Sequence, residues 1–115
     1  MTSSFKLSTC YFENWGMQMA KGYWIGSVEV DDLETYQKYI AANAAPLAEF
    51  GAKFLIRGGQ YINPEGSART RNVVIEFPSY DAAVACYESD AYQKAKALRV
   101  PVSVNNMVII EGYDG

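Results

Sequence analysis

Four runs rich in β-branched and aromatic residues, at 22–30, 53–61, 71–77 and 104–112, are separated by two stretches with helical spacing and one turn-rich loop. The order strand–helix–strand–strand–helix–strand restricts this chain more than any other feature. Right-handed crossovers of its two βαβ-type halves give a four-stranded antiparallel sheet with both helices on one face. The expected fold is α+β, ferredoxin-like βαββαβ, and 115 residues suit one such domain.

Each element carries its own signals. In the first run, alternation puts Trp24, Val28 and Val30 on one face and Tyr23, Ile25, Ser27 and Glu29 on the other. The first helix is expected to begin at Asp31, which with Glu34 can form a capping box. Leu33, Tyr36, Ile40 and Leu47 supply its apolar stripe, and Gly51 ends it. Pro46 lacks an N–H, which predicts a kink or break near 43–45. The loop from Asn63 to Ser67 is dense in turn residues and predicts a hairpin between the second and third runs. Ser79 is an N-cap for a helix carrying Tyr80, Ala83, Val84 and Tyr87. Ser89 can cap a second short helix carrying Tyr92, Ala95 and Leu98. Residues 1–18 show neither period and read as a flexible or expression-derived extension, leaving 19–115 as the single domain. The alternative is an arm packed on a partner chain through Tyr11, Phe12 and Trp15.

Helices on one face leave the other uncovered. That face would hold Ile25, Leu55, Val74 and Ile109 in water, and an apolar patch of this extent marks an interface. The expected assembly is a homodimer in which two sheets close into a barrel-like core, a dimeric α+β barrel.

Composition narrows the chemistry. There is no histidine, which removes the commonest general base and metal ligand. Two cysteines, Cys10 and Cys86, do not form a disulfide framework. A net charge of −3 argues against a nucleic-acid surface. No apolar run reaches the roughly 20 residues of a membrane span, so the expectation is a cytoplasmic protein. Phosphate-loop, dinucleotide, metal-cluster and Ser-His-Asp motifs are missing, so no cofactor and no metal are expected.

Several segments together resemble a known family. They are Tyr23-Trp24, Arg57-Gly58-Gly59, Val74-Ile75-Glu76-Phe77-Pro78-Ser79, Tyr87-Glu88-Ser89 with Tyr92, Arg99, and Val108-Ile109-Ile110-Glu111-Gly112. In this order the chain resembles the domain-of-unknown-function 1330 family over about 20–113. The resemblance implies a dimeric α+β barrel and supplies no reaction. Two positions depart from it: Gly51-Ala52 stands where the family often has two glycines, and Cys86 where it often has tryptophan.

The candidate site residues are few. Arg57 and Glu76 each interrupt an apolar strand, and counting from a shared hairpin places them opposite each other on the face away from the helices. One reading is a structural ion pair, since buried charges persist only when paired. The other is a carboxylate anchor, Arg57, beside a general base, Glu76. Tyr39 and Tyr92, with Asn43 and Arg99 near helix ends, either line a ligand cleft between helix and sheet or are plain packing. Gly58-Gly59 is read as a bulge rather than an RNA-binding box. Two function classes follow. The first is a dimer that binds a small carboxylate or aromatic molecule, with cofactor-free acid–base chemistry. The second is a non-catalytic homodimer whose charged pair sets register.

Overall fold

The computed structural model describes residues 20–114. The extension 1–18, its aromatic residues and Cys10 lie outside the described residues. In chain order the elements are β1 (Gly22–Val30), α1 (Leu33–Glu49), β2 (Lys53–Arg57), β3 (Arg71–Phe77), α2 (Tyr80–Glu88), α3 (Asp90–Arg99), a 3-10 turn (Val100–Val102) and β4 (Ser103–Glu111). The sheet order is β2-β3-β1-β4 with every neighbour antiparallel. Each helical connection skips one strand, so two split βαβ units interleave, which is the ferredoxin-like arrangement.

Trp24 anchors the core. It sits between Ile75 and Ile109 in the sheet, and its indole N–H donates to the Ala83 carbonyl of α2 at 2.9 Å. Phe77 and Tyr92 meet its ring at centroid distances of 5.0 and 4.8 Å. Tyr36, Tyr39 and Leu47 of α1, Ala83 and Cys86 of α2, and Tyr92 and Ala95 of α3 complete the buried cluster on that one face. Gly22 explains how α2 approaches so closely. A Cβ there would stand 2.4 Å from the Ser79 carbonyl oxygen, so no side chain fits where β1 passes the helix start.

The described helices number three, the third capped by Ser89 as expected, because Ser89 takes an extended conformation and caps both flanking helices. Its N–H donates to the Cys86 carbonyl at 3.2 Å, and its Oγ accepts from the Tyr92 N–H at 3.2 Å. Several expectations need correction. Asp32, not Asp31, caps α1, accepting from the Thr35 N–H and hydroxyl at 3.2 and 2.8 Å. Asp31 is held one residue earlier, because its N–H donates to the Val102 carbonyl at 2.7 Å. Leu33 therefore points to solvent rather than into the stripe. The helix α1 runs unbroken through Pro46. The carbonyl that Pro46 leaves without its helical donor belongs to exposed Ala42, where water can satisfy it. Ile109 faces the core beside Trp24, and Val108 and Ile110 take the place on the open face that was expected for it. The strand β2 stops at Arg57 instead of 61, because Gly58 and Gly59 adopt φ of 79° and 120° and turn the chain out of the ladder.

Candidate functional site

The site begins with an omission in β1. Gly26 lies mid-strand between Val73 and Met107, and on the helix side it offers no side chain. Above it, Tyr36, Tyr39, Ile40 and Asn43 recur at helical spacing on the inner face of α1. The result is a cleft between α1 and the sheet, about 520 Å³ including its mouth. Most of that is open to solvent, and the enclosed space is about 50 Å³, room for a few water molecules or one small ligand group.

The floor carries three polar side chains. Arg71 and Asn105 flank Val28 on opposite sides, in one row across β3, β1 and β4. Arg57 stands in the next row, opposite Val73. The Arg71 guanidinium carbon lies 5.8 Å from the Tyr36 ring centroid, and that of Arg57 lies 4.1 Å from the Phe54 centroid. Two floor atoms have no hydrogen-bond partner although both are buried: Arg71 Nε and Asn105 Oδ1. Leaving a buried polar group unpaired costs about 1–3 kcal/mol, more when it is charged. Asn43 is only 6% exposed. Burial also holds the Tyr36 phenol above its ordinary pKa, with the Tyr39 phenol adding and the Arg71 charge opposing. Tyr36 therefore stays neutral beside the arginine.

Behind the α1 wall lies a second polar group. The Tyr39 and Tyr92 hydroxyls are 2.8 Å apart, and Arg99 Nη2 donates to the Tyr92 hydroxyl at 3.4 Å. Arg99 is 7% exposed, its Nε has no partner, and its guanidinium carbon is 5.4 Å from the Tyr39 ring centroid. Desolvation pushes the Tyr92 phenol far above its ordinary pKa, with Tyr39 adding and Arg99 opposing.

The structure thus gathers Arg57, Tyr39 and Asn43 at one cleft and sets Tyr92 and Arg99 directly behind Tyr39. It separates Glu76 from all of them. The ladder between β2 and β3 shifts between Phe54 and Ile56, leaving Leu55 as an extra residue. Arg57 then faces Val73 on the helix side, whereas Glu76 faces Lys53 and Tyr23 on the open side, where the Tyr23 hydroxyl donates to it at 3.2 Å. The expected Arg57–Glu76 pair on one face does not form, as an ion pair or as a joint site. Sequence reasoning missed Arg71, Asn105 and Tyr36 as cleft residues. Alternation with Val73 and Ile75 would have placed Arg71 on the helix side. The same count from Met107 would have placed Asn105, had Ile109 been assigned inward. The open face itself forms a shallow apolar trough with Ile25, Ile56, Val74 and Val108 along it. Among the described residues no group of His, Cys, Asp and Glu could hold a metal, and no helix is long and apolar enough to cross a membrane.

A family model described as a domain of unknown function, DUF1330, matches residues 21–113. The chain belongs to the DUF1330 family. The match takes in every element of the DUF1330 fold described above, from β1 to β4. No curated protein matches the chain. Solved structures of similar fold include the RPA0582 protein of unknown function from Rhodopseudomonas palustris, at 16% identity, covering 85% of this chain and 86% of that one, with a TM-score of 0.65. SnoaB, a cofactor-independent oxygenase from Streptomyces nogalater, is 11% identical, covers 84% and 96%, and has a TM-score of 0.59. A dimeric ferredoxin-like protein of unknown function from Thermobifida fusca is 17% identical, covers 87% and 98%, and has a TM-score of 0.56. At these identities the likeness of the DUF1330 chain to the three is one of fold.

Proposed function

We propose that this protein binds a small carboxylate in the cleft between α1 and the sheet, and that it does so as a homodimer joined through the open sheet face. One observation carries the ligand reading: Arg71 Nε and Asn105 Oδ1 are buried without partners on the floor of one cleft, with Arg57 beside them. A carboxylate would accept from Arg71, whose planar fork suits it. A hydroxyl on the same molecule would donate to Asn105. The Tyr36 and Phe54 rings give the ligand apolar walls, which favours a flat or aromatic body.

The dimer reading rests on the open face. Ile25, Ile56, Val108 and Ile110 stand there between 43% and 49% exposed, more contiguous apolar surface than a monomer usually leaves in water. The Thermobifida fusca neighbour, of the same fold, is dimeric. Chemistry on the bound acid would fall to the protein's own side chains. SnoaB is a cofactor-independent oxygenase with this fold, but a fold does not carry a reaction with it.

A thermal-shift panel of small aliphatic and aromatic carboxylates tests the ligand reading. A ligand at a hundredfold excess over its Kd adds about 2.7 kcal/mol of stability. Wild type should respond to at least one acid, and Arg71→Met should lose the response. Equal shifts in the two proteins, or none in wild type across the panel, would sink the reading.

A further inference from the structure

We infer that the acid bound in this cleft is a dicarboxylate, its first carboxylate held on the floor by Arg71 and its second at the mouth by Arg57. The inference rests on the carboxylate reading above and narrows it.

Charge is spread unevenly over this chain. It has 13 acidic and 10 basic residues, yet the described residues that line the cleft include two arginines and no Asp or Glu. The two arginines are also neighbours. Arg57 pairs with Val73, and Arg71 lies two positions before Val73 on the same face of β3. Diagonal neighbours of this kind stand about 7–8 Å apart. The pairing extends past Arg57, because the Gly58 N–H donates to the Asn72 carbonyl at 2.9 Å. The Arg71 side chain reaches toward that strand end: a Cβ at Gly58 would lie 3.6 Å from Arg71 Nη1. Two cations side by side repel, and more strongly where water is excluded. A single carboxylate offsets one of them; a dicarboxylate offsets both.

The seats of the two charges favour two anionic groups over one phosphate between them. Each guanidinium lies by its own ring. That of Arg71 is 5.8 Å from the Tyr36 centroid on α1, and that of Arg57 is 4.1 Å from the Phe54 centroid on β2. They also differ in depth. Arg71 Nε is buried without a partner, whereas Arg57 is exposed. The enclosed space of about 50 Å³ takes one small group, which at Arg71 is the first carboxylate. The rest of the molecule then lies in the mouth, between the Tyr36 and Phe54 rings, with Arg57 at its outer end.

Isothermal titration calorimetry on the full chain tests this, at a pH where both carboxylates are ionised. The probes are succinate, glutarate, isophthalate and terephthalate, each beside its monomethyl ester, which keeps one charge and nearly the same shape. Wild type should bind at least one diacid about fivefold to tenfold more tightly than its ester, the effect of one charge pair at a partly solvated mouth. Arg57→Gln should bind that diacid and its ester alike, because only the second carboxylate has lost its partner. Arg71→Met should lose both. Equal affinity of wild type for every diacid and its ester overturns the inference and leaves the carboxylate reading in place. A preference that survives Arg57→Gln overturns it too, as does loss of the ester from Arg57→Gln, which would make Arg57 the holder of the first carboxylate. Tighter binding of phenyl phosphate than of every diacid overturns it in favour of a single anionic group. Absence of binding by all the acids and esters to wild type, or binding that survives Arg71→Met, overturns the carboxylate reading and takes the inference with it.

Discussion

Arg57 stands opposite Val73 across β2 and β3, four residues along β2 but only three along β3 from the Lys53–Glu76 pair, because Leu55 is inserted in the ladder between them. An arginine and a glutamate that sequence counting brings together are thereby sent to opposite faces of one sheet. Arg57 is exposed, with its guanidinium over Phe54, and Glu76 is half-buried beside Tyr23. Arg57→Met and Glu76→Gln should each change stability by less than about 1 kcal/mol, not the 3–5 kcal/mol expected on breaking a buried pair. Denaturant unfolding of the singles and the double variant should show additive effects, and a coupling above 1 kcal/mol would contradict the register.

Gly26 offers a way to close the cleft without touching a charge. A Cβ at 26 would meet Asn105 at 3.5 Å and Met107 at 3.8 Å, ordinary contact distances. Gly26→Val should therefore fold with stability unchanged or raised by a few tenths of a kcal/mol, since valine favours strands. The same variant should lose the thermal response to carboxylates. A preserved response would move the ligand out of this cleft.

Alkaline pH should weaken the fold through groups that it keeps protonated. Burial pushes the Cys86 thiol up to about 12, with the Glu49 carboxylate adding. The Tyr36 and Tyr92 phenols are raised too, in each case first by burial. The unfolded chain releases these protons near the ordinary values, so above about pH 9 it binds fewer protons than the native state. Stability then falls as pH rises, by up to about 1.4 kcal/mol per pH unit for each such group. Between pH 8 and pH 11 unfolding free energy should fall less steeply for Cys86→Ala than for wild type, the slopes separating as pH passes the ordinary thiol value of the unfolded chain. Parallel slopes would mean that Cys86 ionises in the fold.

Assembly can be tested at the centre of the open face. Ile25 faces Val74 on one side and Val108 on the other. Light scattering should give twice the 12.8 kDa chain mass for wild type. Ile25→Glu would bring a charge into an apolar contact and should give the single-chain mass with the far-ultraviolet dichroism retained. A wild-type monomer at micromolar concentration would remove the dimer.

Much of the fold was legible because its signals are local. The spans of β1 and β3 follow from alternation and flanking turn residues, and Ser79 and Ser89 cap where short polar residues precede apolar stripes. The errors lie where a distant contact decides. Asp31 loses the cap to its neighbour because Val102, on another element, holds its N–H. Leu55 becomes a bulge because Phe54 must reach the core while Arg57 reaches the mouth of the cleft, and no residue type announces that choice. The cleft residues suffered most, since an error of one position in β4 turned the whole strand over and hid Asn105.

The strand at the middle of the sheet is the first of the described chain, and both its neighbours come later: β3 after the hairpin loop, and β4 at the far end. Its pairing with β4 joins Gly22 to Glu111, so nearly the whole domain must be present before the sheet is complete. Such sequence-distant pairings slow folding, because the entropy of closing the loop is lost before the contact forms. On the ribosome β1 would wait with both edges open and Ile25 and Val28 unprotected, a strand made first and finished last. Its glycines, at 22 and 26, shorten the apolar run through that wait and make it a poorer template for a neighbouring chain.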